Sequence, residues 1–180
     1  MLFWEIILYS LVQGITEFLP ISSSAHLLIL EKILNWPIPG RTMAIAAHLG
    51  SLFAVLLYLK SDIINIIKSI FKLENYFQNK NIKTLKNIIV ITIPIILVGL
   101  FIFKNFDDKL LTLSVIAWSS IIGATLLFIS DKFKIKEKNI SSLSFLECLF
   151  IGILQVFALI PGASRSGTII TAARILNIQR

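Results

Sequence analysis

Gln13-Gly-Ile-Thr-Glu-Phe-Leu-Pro-Ile-Ser-Ser-Ser-Ala-His26 is a polar break in an apolar chain, and its reading decides the fold. It sets a carboxylate, an imidazole and three hydroxyls around Pro20. Gln155-Val-Phe-Ala-Leu-Ile-Pro-Gly-Ala-Ser-Arg-Ser-Gly167 follows the same plan, from a Gln through apolar residues to a Pro and a serine cluster, and adds a guanidinium. Polar and ionisable groups at membrane depth are costly, so they read as functional. Short apolar pieces broken at corresponding places in two halves predict re-entrant helix hairpins around a site near mid-membrane. The hairpins are expected over 1–34 and 145–176.

Working outward, the 180 residues are 56% hydrophobic, with a mean hydropathy of +0.86. That composition excludes a soluble domain and predicts an all-α polytopic membrane protein forming one integral membrane domain. Full spans are expected at 42–59, 88–103 and 110–129, with Pro94 kinking the second. The first of these covers roughly 27 Å as a helix, enough to cross the hydrocarbon core. The net charge of +7 lies between apolar segments, which suits loops beside anionic lipid and argues against a nucleic-acid partner. Lys60, Lys68, Lys72, Lys80, Lys83 and Lys86, set against Asp62 and Glu74, make 60–87 a cytoplasmic loop. Lys132, Lys134, Lys136 and Lys138 do the same for 131–139. The links at 35–41 and 104–109, the latter with Asp107 and Asp108, then lie outside. Three spans between two re-entrant hairpins is an odd number, so the hairpins enter from opposite faces as an inverted-topology repeat; if each hairpin half instead crosses fully, four further spans exist and the parity no longer holds. The first apolar stretch carries no small-residue cleavage site, so no removable signal peptide is expected. Cys148 is the single cysteine, which excludes an internal disulfide.

Gln13 and Glu17 are four residues apart and share a helix face. Ser22, Ser23 and Ser24 follow Pro20 where a helix should start, with Ser22 as its N-cap. The free N–H groups and dipole of such a terminus favour an anion. His26 lies within one turn of Ser22 and Ser23, giving a hydroxyl nucleophile and a base. The structural alternative is serines packing between helices. In the second motif, Gly162 and Gly167 let backbone approach a ligand, and Ser164 caps the next helix beside Ser166. Arg165 offers a fork suited to phosphate; at membrane depth it needs Glu17 or an anionic ligand as partner. His48, alone in its span before Gly50, reads as a hydrogen-bonded packing residue. Glu5 and Glu147 read as interfacial, Gln155 mirrors Gln13, and Trp4, Trp36 and Trp118 fit interfacial belts. No zinc spacing, Walker loop or dinucleotide fingerprint is present.

Gly14 to His26 and Pro161 to Gly167 closely resemble the two signatures of the bacterial undecaprenyl-diphosphatase (bacitracin-resistance) family, and the likeness runs the length of the chain. The resemblance implies an inner-membrane phosphatase that converts undecaprenyl diphosphate to the monophosphate carrier on the outer side of the membrane. That activity recycles the lipid for peptidoglycan synthesis and confers bacitracin resistance. It also implies a divalent cation, Mg2+ or Ca2+. The family's acidic motif maps onto Gln13 and Glu17, its serine and histidine onto Ser23 and His26, and its arginine onto Arg165. Gln13 stands where some members have Glu, leaving Glu17 as the sole carboxylate for the metal. Ser22, Ser24, Gly162, Ser164, Ser166 and Gly167 are the expected substrate-binding residues. Expected partners are the polyprenyl diphosphate, membrane lipids and a second copy in a homodimer. Three chemistries remain open: Ser23 attacks with His26 as base, His26 attacks while Ser23 positions, or Glu17 or His26 activates water. Ending at Arg180, the chain is read as shorter than family members at its C-terminus. A polyprenyl-phosphate flippase and an inactive fragment are the alternative readings.

Overall fold

The computed structural model describes residues 3–36, 40–71, 79–105, 112–132 and 139–178. The loop charges of Lys72, Glu74, Asp107, Asp108, Lys109, Lys134, Lys136 and Lys138 lie outside the described residues, as do 37–39 and 110–111. Eight α-helices are described: α1 Phe3–Phe18, α2 Ser23–Ile33, α3 Gly40–Tyr58, α4 Lys60–Ile70, α5 Lys80–Asn105, α6 Leu113–Ser130, α7 Phe145–Val156 and α8 Arg165–Ile175. There is no strand among the described residues. By length and composition, α5 over Lys80–Ile102 and α6 can each cross a membrane. A third crossing is available if α3 from Thr42 and α4, which meet at a 70° bend, form one broken span.

The expected loop at 60–87 is corrected. Residues 60–70 are α4, and α5 begins at Lys80 rather than at 88. Ile63, Ile64, Ile66, Ile67 and Ile70 recur at helical spacing between Lys60, Asp62 and Lys68, so this stretch is an amphipathic helix that charge counting misreads as a loop. Asn81 of α5 ties it down: its Nδ2 donates to Ser69 Oγ at 2.9 Å.

α1–α2 and α7–α8 are one unit built twice, at a constant offset of 142 positions (Ser22 and Ser164). Phe3/Phe145, Glu5/Glu147, Gln13/Gln155, Ser22/Ser164, Ser24/Ser166, Ile33/Ile175, Leu34/Leu176 and Asn35/Asn177 are identical pairs in that register. The second helix has 11 residues in both. Ser22 caps α2 by accepting from Ala25 N–H, and Ser164 caps α8 by accepting from Gly167 N–H. Each unit ends on a left-handed Asn, with φ of 48° at Asn35 and 60° at Asn177. The next N–H then reaches back five residues, from Trp36 to Glu31 O at 3.1 Å and from Ile178 to Ala173 O at 2.8 Å. This is the Schellman ending, which satisfies orphan carbonyls and buries an apolar residue just past the helix. Trp36 and Ile178 are both buried.

Each unit carries its own small core: Tyr9, Leu27 and Trp36 in the first, and Leu143, Cys148, Ile151, Ala172 and Ile178 in the second. α1 packs on α2 and α3, while α7 packs on α5 and α8, and α8 on α6. Most other large apolar side chains on α1, α3, α5 and α6 face outward, as they do where lipid replaces a protein core. At the α5–α7 crossing, Gly152 lies against Pro94, and a Cβ there would stand 2.7 Å from Ile91 O and 2.9 Å from Pro94 Cγ. Pro94 has no N–H and its ring frees a carbonyl one turn back; the crossing helix fits against this site only because residue 152 lacks a side chain.

Gly123, inside α6, is the opposite case: a Cβ added to it would meet nothing within 4 Å. Helix propensity favours Ala over Gly by about 1 kcal/mol at both sites, so packing alone separates them. Thermal denaturation in detergent should show Gly152→Ala losing about 1–3 kcal/mol to overpacking, with Gly123→Ala neutral or stabilised. Equal behaviour of the two variants would contradict the close crossing.

Candidate functional site

The two breaks meet. Ser166 Oγ of the second donates to Leu19 O of the first at 2.9 Å. A Cβ on Gly167 would lie 3.4 Å from Pro20 O. The N-termini of α2 and α8 therefore open beside one another. Within each break the serines pair in the same way, Ser22 with Ser24 at 3.1 Å and Ser164 with Ser166 at 3.0 Å.

α6 holds the second break from behind. Ser119 Oγ donates to Pro161 O and Ser120 Oγ donates to Gly162 O at 3.1 Å. In a trans peptide the N–H lies opposite the carbonyl, so with Pro161 O turned toward α6 the Gly162 N–H points away from it. Gly162 has φ of 94°, and a Cβ would collide with Ser119 Oγ and Ile116 O. Only glycine suits both the left-handed backbone and this approach. Arg174, near the end of α8, anchors the same helices: its Nε donates to Asp131 Oδ1 at 3.1 Å, and its terminal nitrogen to Asp131 O at 2.8 Å.

The expected site residues fall into two neighbouring groups. The first surrounds the Glu17 carboxylate. Ser23 Oγ donates to Glu17 Oε2 at 2.6 Å, and Gln13 Nε2 donates to the same oxygen at 3.0 Å. His48 Nε2 of α3 stands 3.7 Å from it. The second group lines a cavity of about 700 Å³ between the breaks and α6. Ser22, His26, Gly162, Ser164 and Gly167 reach this cavity, whose walls are otherwise mostly apolar side chains such as Trp118 and Leu126. Arg165 is exposed at the start of α8, and its side chain makes no hydrogen bond or ion pair among the described residues. Of the partners considered for it, Glu17 or an anionic ligand, Glu17 does not pair with it in this structure. Nor does Ser23 bond to His26; its hydroxyl is held by Glu17 instead.

Both imidazoles are locked the same way. His26 Nδ1 lies 2.7 Å from Ser22 O, and His48 Nδ1 lies 2.8 Å from Ala44 O. A backbone carbonyl only accepts, so Nδ1 carries the proton in each ring, and the neutral ring presents a bare Nε2. His26 presents its ring at the cavity, and His48 turns Nε2 toward Glu17.

Gln13 and Gln155 share a further property. Their side-chain carbonyl oxygens are buried without a hydrogen-bond partner, in residues 1% and 7% exposed. Such atoms are rare and call for a ligand, ion or water. Among the described residues no three His, Cys, Asp or Glu come together. A cation would therefore draw on Glu17, the orphaned Gln13 Oε1 and the Ser23 hydroxyl. These are oxygen donors of the kind that Mg2+ and Ca2+ take, and the residues present fit such an ion.

Sequence reasoning assigns His48 to packing and passes over Ser119 and Ser120. For the serines a signal exists: a polar pair in an otherwise apolar span. For His48 there is none, because its approach to Glu17 depends on how α3 packs against α1.

The fold and junction set a context for comparison with known proteins. A family model described as bacitracin resistance protein BacA matches residues 6–180. An undecaprenyl-diphosphatase of Saccharophagus degradans is 40% identical over 171 residues, covering 95% of this chain and 64% of the relative. One of Pelagibacter ubique is 40% identical over 178 residues, covering 98% of this chain and 65% of the relative. A third, of Gloeobacter violaceus, is 37% identical and is covered over 63% of its length. The chain thus spans a little under two thirds of the length of these relatives.

The chain has only two histidines, so side-chain 15N NMR can read both rings. At a pH where both are neutral, each should show a protonated Nδ1 and a bare Nε2; a proton on Nε2 in either ring would remove the lock inferred for it.

Proposed function

The chain belongs to the bacitracin resistance protein BacA family, and on that premise we propose that it acts as a membrane phosphatase converting undecaprenyl diphosphate to undecaprenyl phosphate and inorganic phosphate. The observation that carries this reading is the 2.6 Å hydrogen bond from Ser23 to Glu17, set where two helix N-termini open side by side. A hydroxyl within hydrogen-bond reach of a carboxylate is a nucleophile with its base. Two helix starts and a guanidinium are a receptor for a doubly charged phosphate.

In this reading Ser23 Oγ attacks the terminal phosphorus. The Oγ–P bond forms as the bridging P–O bond breaks, and undecaprenyl phosphate leaves. Glu17 takes the hydroxyl proton. Water then attacks the phosphoserine with His26 Nε2 as base; the Oγ–P bond breaks as Ser23 regains its proton from Glu17, inorganic phosphate departs, and His26 gives its proton to the leaving phosphate or to solvent. Arg165 and the free N–H groups beside Ser22 and Ser164 neutralise phosphate charge throughout. Magnesium or calcium, held by Glu17 and Gln13, would further offset that charge. The prenyl tail lies in the apolar cavity beside Trp118 and Leu126, continuous with surrounding lipid.

We place the protein in the bacterial inner membrane with the site open to the outer side. The two units act as re-entrant hairpins. Three spans between them, α3–α4, α5 and α6, reverse the second relative to the first. Recycling of the carrier lipid for peptidoglycan synthesis, and with it bacitracin resistance, follows from the reaction.

Phosphate release from a short-chain prenyl diphosphate by the purified chain in detergent, with Mg2+ supplied, tests this. Arg165→Ala should lower the rate by about 10²–10³, the usual effect of losing one donor to a developing anion. Ser23→Ala should abolish any phosphorylated intermediate. Release no greater than that of Arg165→Ala would overturn the reading.

A further inference from the structure

α4 is an amphipathic helix with its apolar side out. The polar edge is the covered one: Ser69 is 5% exposed, its Oγ accepts from Asn81 Nδ2 of α5 at 2.9 Å, and the same nitrogen donates to Asn65 O at 3.4 Å. Asn65 and Ser69 are four residues apart and share that edge. Ile63, Ile64, Ile66, Ile67 and Ile70 fill the arc away from it. Ile64, Ile67 and Ile70 are 47%, 48% and 41% exposed, and Phe71 continues the stripe at 81%. A surface helix in water does the reverse, burying such a stripe and showing its hydroxyls. Direction is a second observation. α3 has 19 residues, reaches roughly 28 Å and can make the crossing of the bent pair by itself. With α3 across the bilayer, the 70° bend lays α4 close to the plane of the membrane surface. Charge is a third. Lys60 and Lys68 of α4 and Lys80, Lys83 and Lys86 at the start of α5 are all exposed, and Asp62 is the one acid in 60–71 and 79–87.

We infer that α4 is an interfacial helix, laid on the membrane with its isoleucines among the acyl chains, and that α4 and the start of α5 together bind anionic phospholipid headgroups. The inference goes beyond the proposed reaction and needs only that the chain is embedded in a membrane. The isoleucine stripe requires an apolar medium on one side, and the lysines beside it require negative charge. The surface of an anionic leaflet supplies both within one helix diameter. Lysines at its edge reach the headgroups while their stems stay on the apolar surface. A second copy of this chain fits the face less well. A twofold contact sets the same patch against itself, so it would bring the lysines of one copy toward those of the other, and like charges meeting across a contact are costly.

The test places a fluorophore on Ile67→Cys in the full chain carrying Cys148→Ser, reconstituted in vesicles of phosphatidylcholine and phosphatidylglycerol. The label should be quenched by lipids bearing a nitroxide near the glycerol end and shielded from aqueous acrylamide. A label on Ser61→Cys, which shares the side of Lys68 seven residues on, should behave the opposite way. At equal mole fraction and low salt, nitroxide-labelled phosphatidylglycerol should quench the Ile67→Cys label at least about twice as strongly as labelled phosphatidylcholine, because basic residues near the surface attract anionic lipid. Lys68→Gln with Lys83→Gln should bring the two lipids toward equality. If that double variant does not insert, salt at about 1 M, where charges are screened beyond about 3 Å, should do the same with the lysines unaltered. Quenching of the Ile67→Cys label by acrylamide would overturn the inference. So would shielding from both quenchers, the result expected for a second copy on this face, or equal quenching by the two lipids at low salt. Phosphate release is not measured, so the outcome is separable from the fate of the phosphatase reading.

Discussion

A break in a helical backbone leaves carbonyl and N–H groups without helical partners, and other groups of the fold must satisfy those that water does not reach. The two breaks of this chain meet that demand from three sources. Ser22 and Ser164 cap the helices that follow. Ser119 and Ser120 of α6 collect the carbonyls of Pro161 and Gly162. Ser166 donates to the carbonyl of Leu19, and so one break satisfies the other. Much else follows from this. The α6 span is needed behind the second break, Gly162 must lack a side chain, and the two helix N-termini are brought to one place.

The duplicated unit makes clear which residues serve architecture and which serve chemistry. In the constant register the caps, the pairing serines, the buried glutamines and the left-handed asparagines coincide. The register partners diverge where the reaction is proposed: Glu17 stands opposite Leu159, Ser23 opposite Arg165, and His26 opposite Thr168. One copy keeps a hydroxyl hydrogen-bonded to a carboxylate, and the other keeps a guanidinium, which the proposed reaction uses as nucleophile, base and phosphate partner. In the proposed reaction, a shared scaffold with unlike side chains at these three equivalent positions would let a symmetric junction treat the two ends of a diphosphate differently.

Much of this was legible in the sequence because it depends on local rules. Pro20 and Pro161 mark breaks, Ser22 and Ser164 announce caps, and the apolar runs announce helices. The full register is harder to see, since the two prolines fall one position apart in it and draw the eye to a shifted match. The helix at 60–70 is hidden by its lysines, which read as a loop although the isoleucines between them keep helical spacing. The partner of Ser23 was not legible at all. Which oxygen a hydroxyl finds depends on the angle at which α1 meets α2, and His48 reaches Glu17 only through the packing of α3 on α1. Non-local approach of this kind leaves no periodic trace in a single chain.

The central claim is that the two breaks touch, and cysteine cross-linking reads this directly. With Cys148, the one native cysteine, changed to Ser, the pair Leu19→Cys and Ser166→Cys should form an intramolecular cross-link in native membranes with a short bifunctional thiol reagent. Each single cysteine should only be labelled. Failure of the pair to cross-link while both positions react singly would contradict the junction and the shared site built on it.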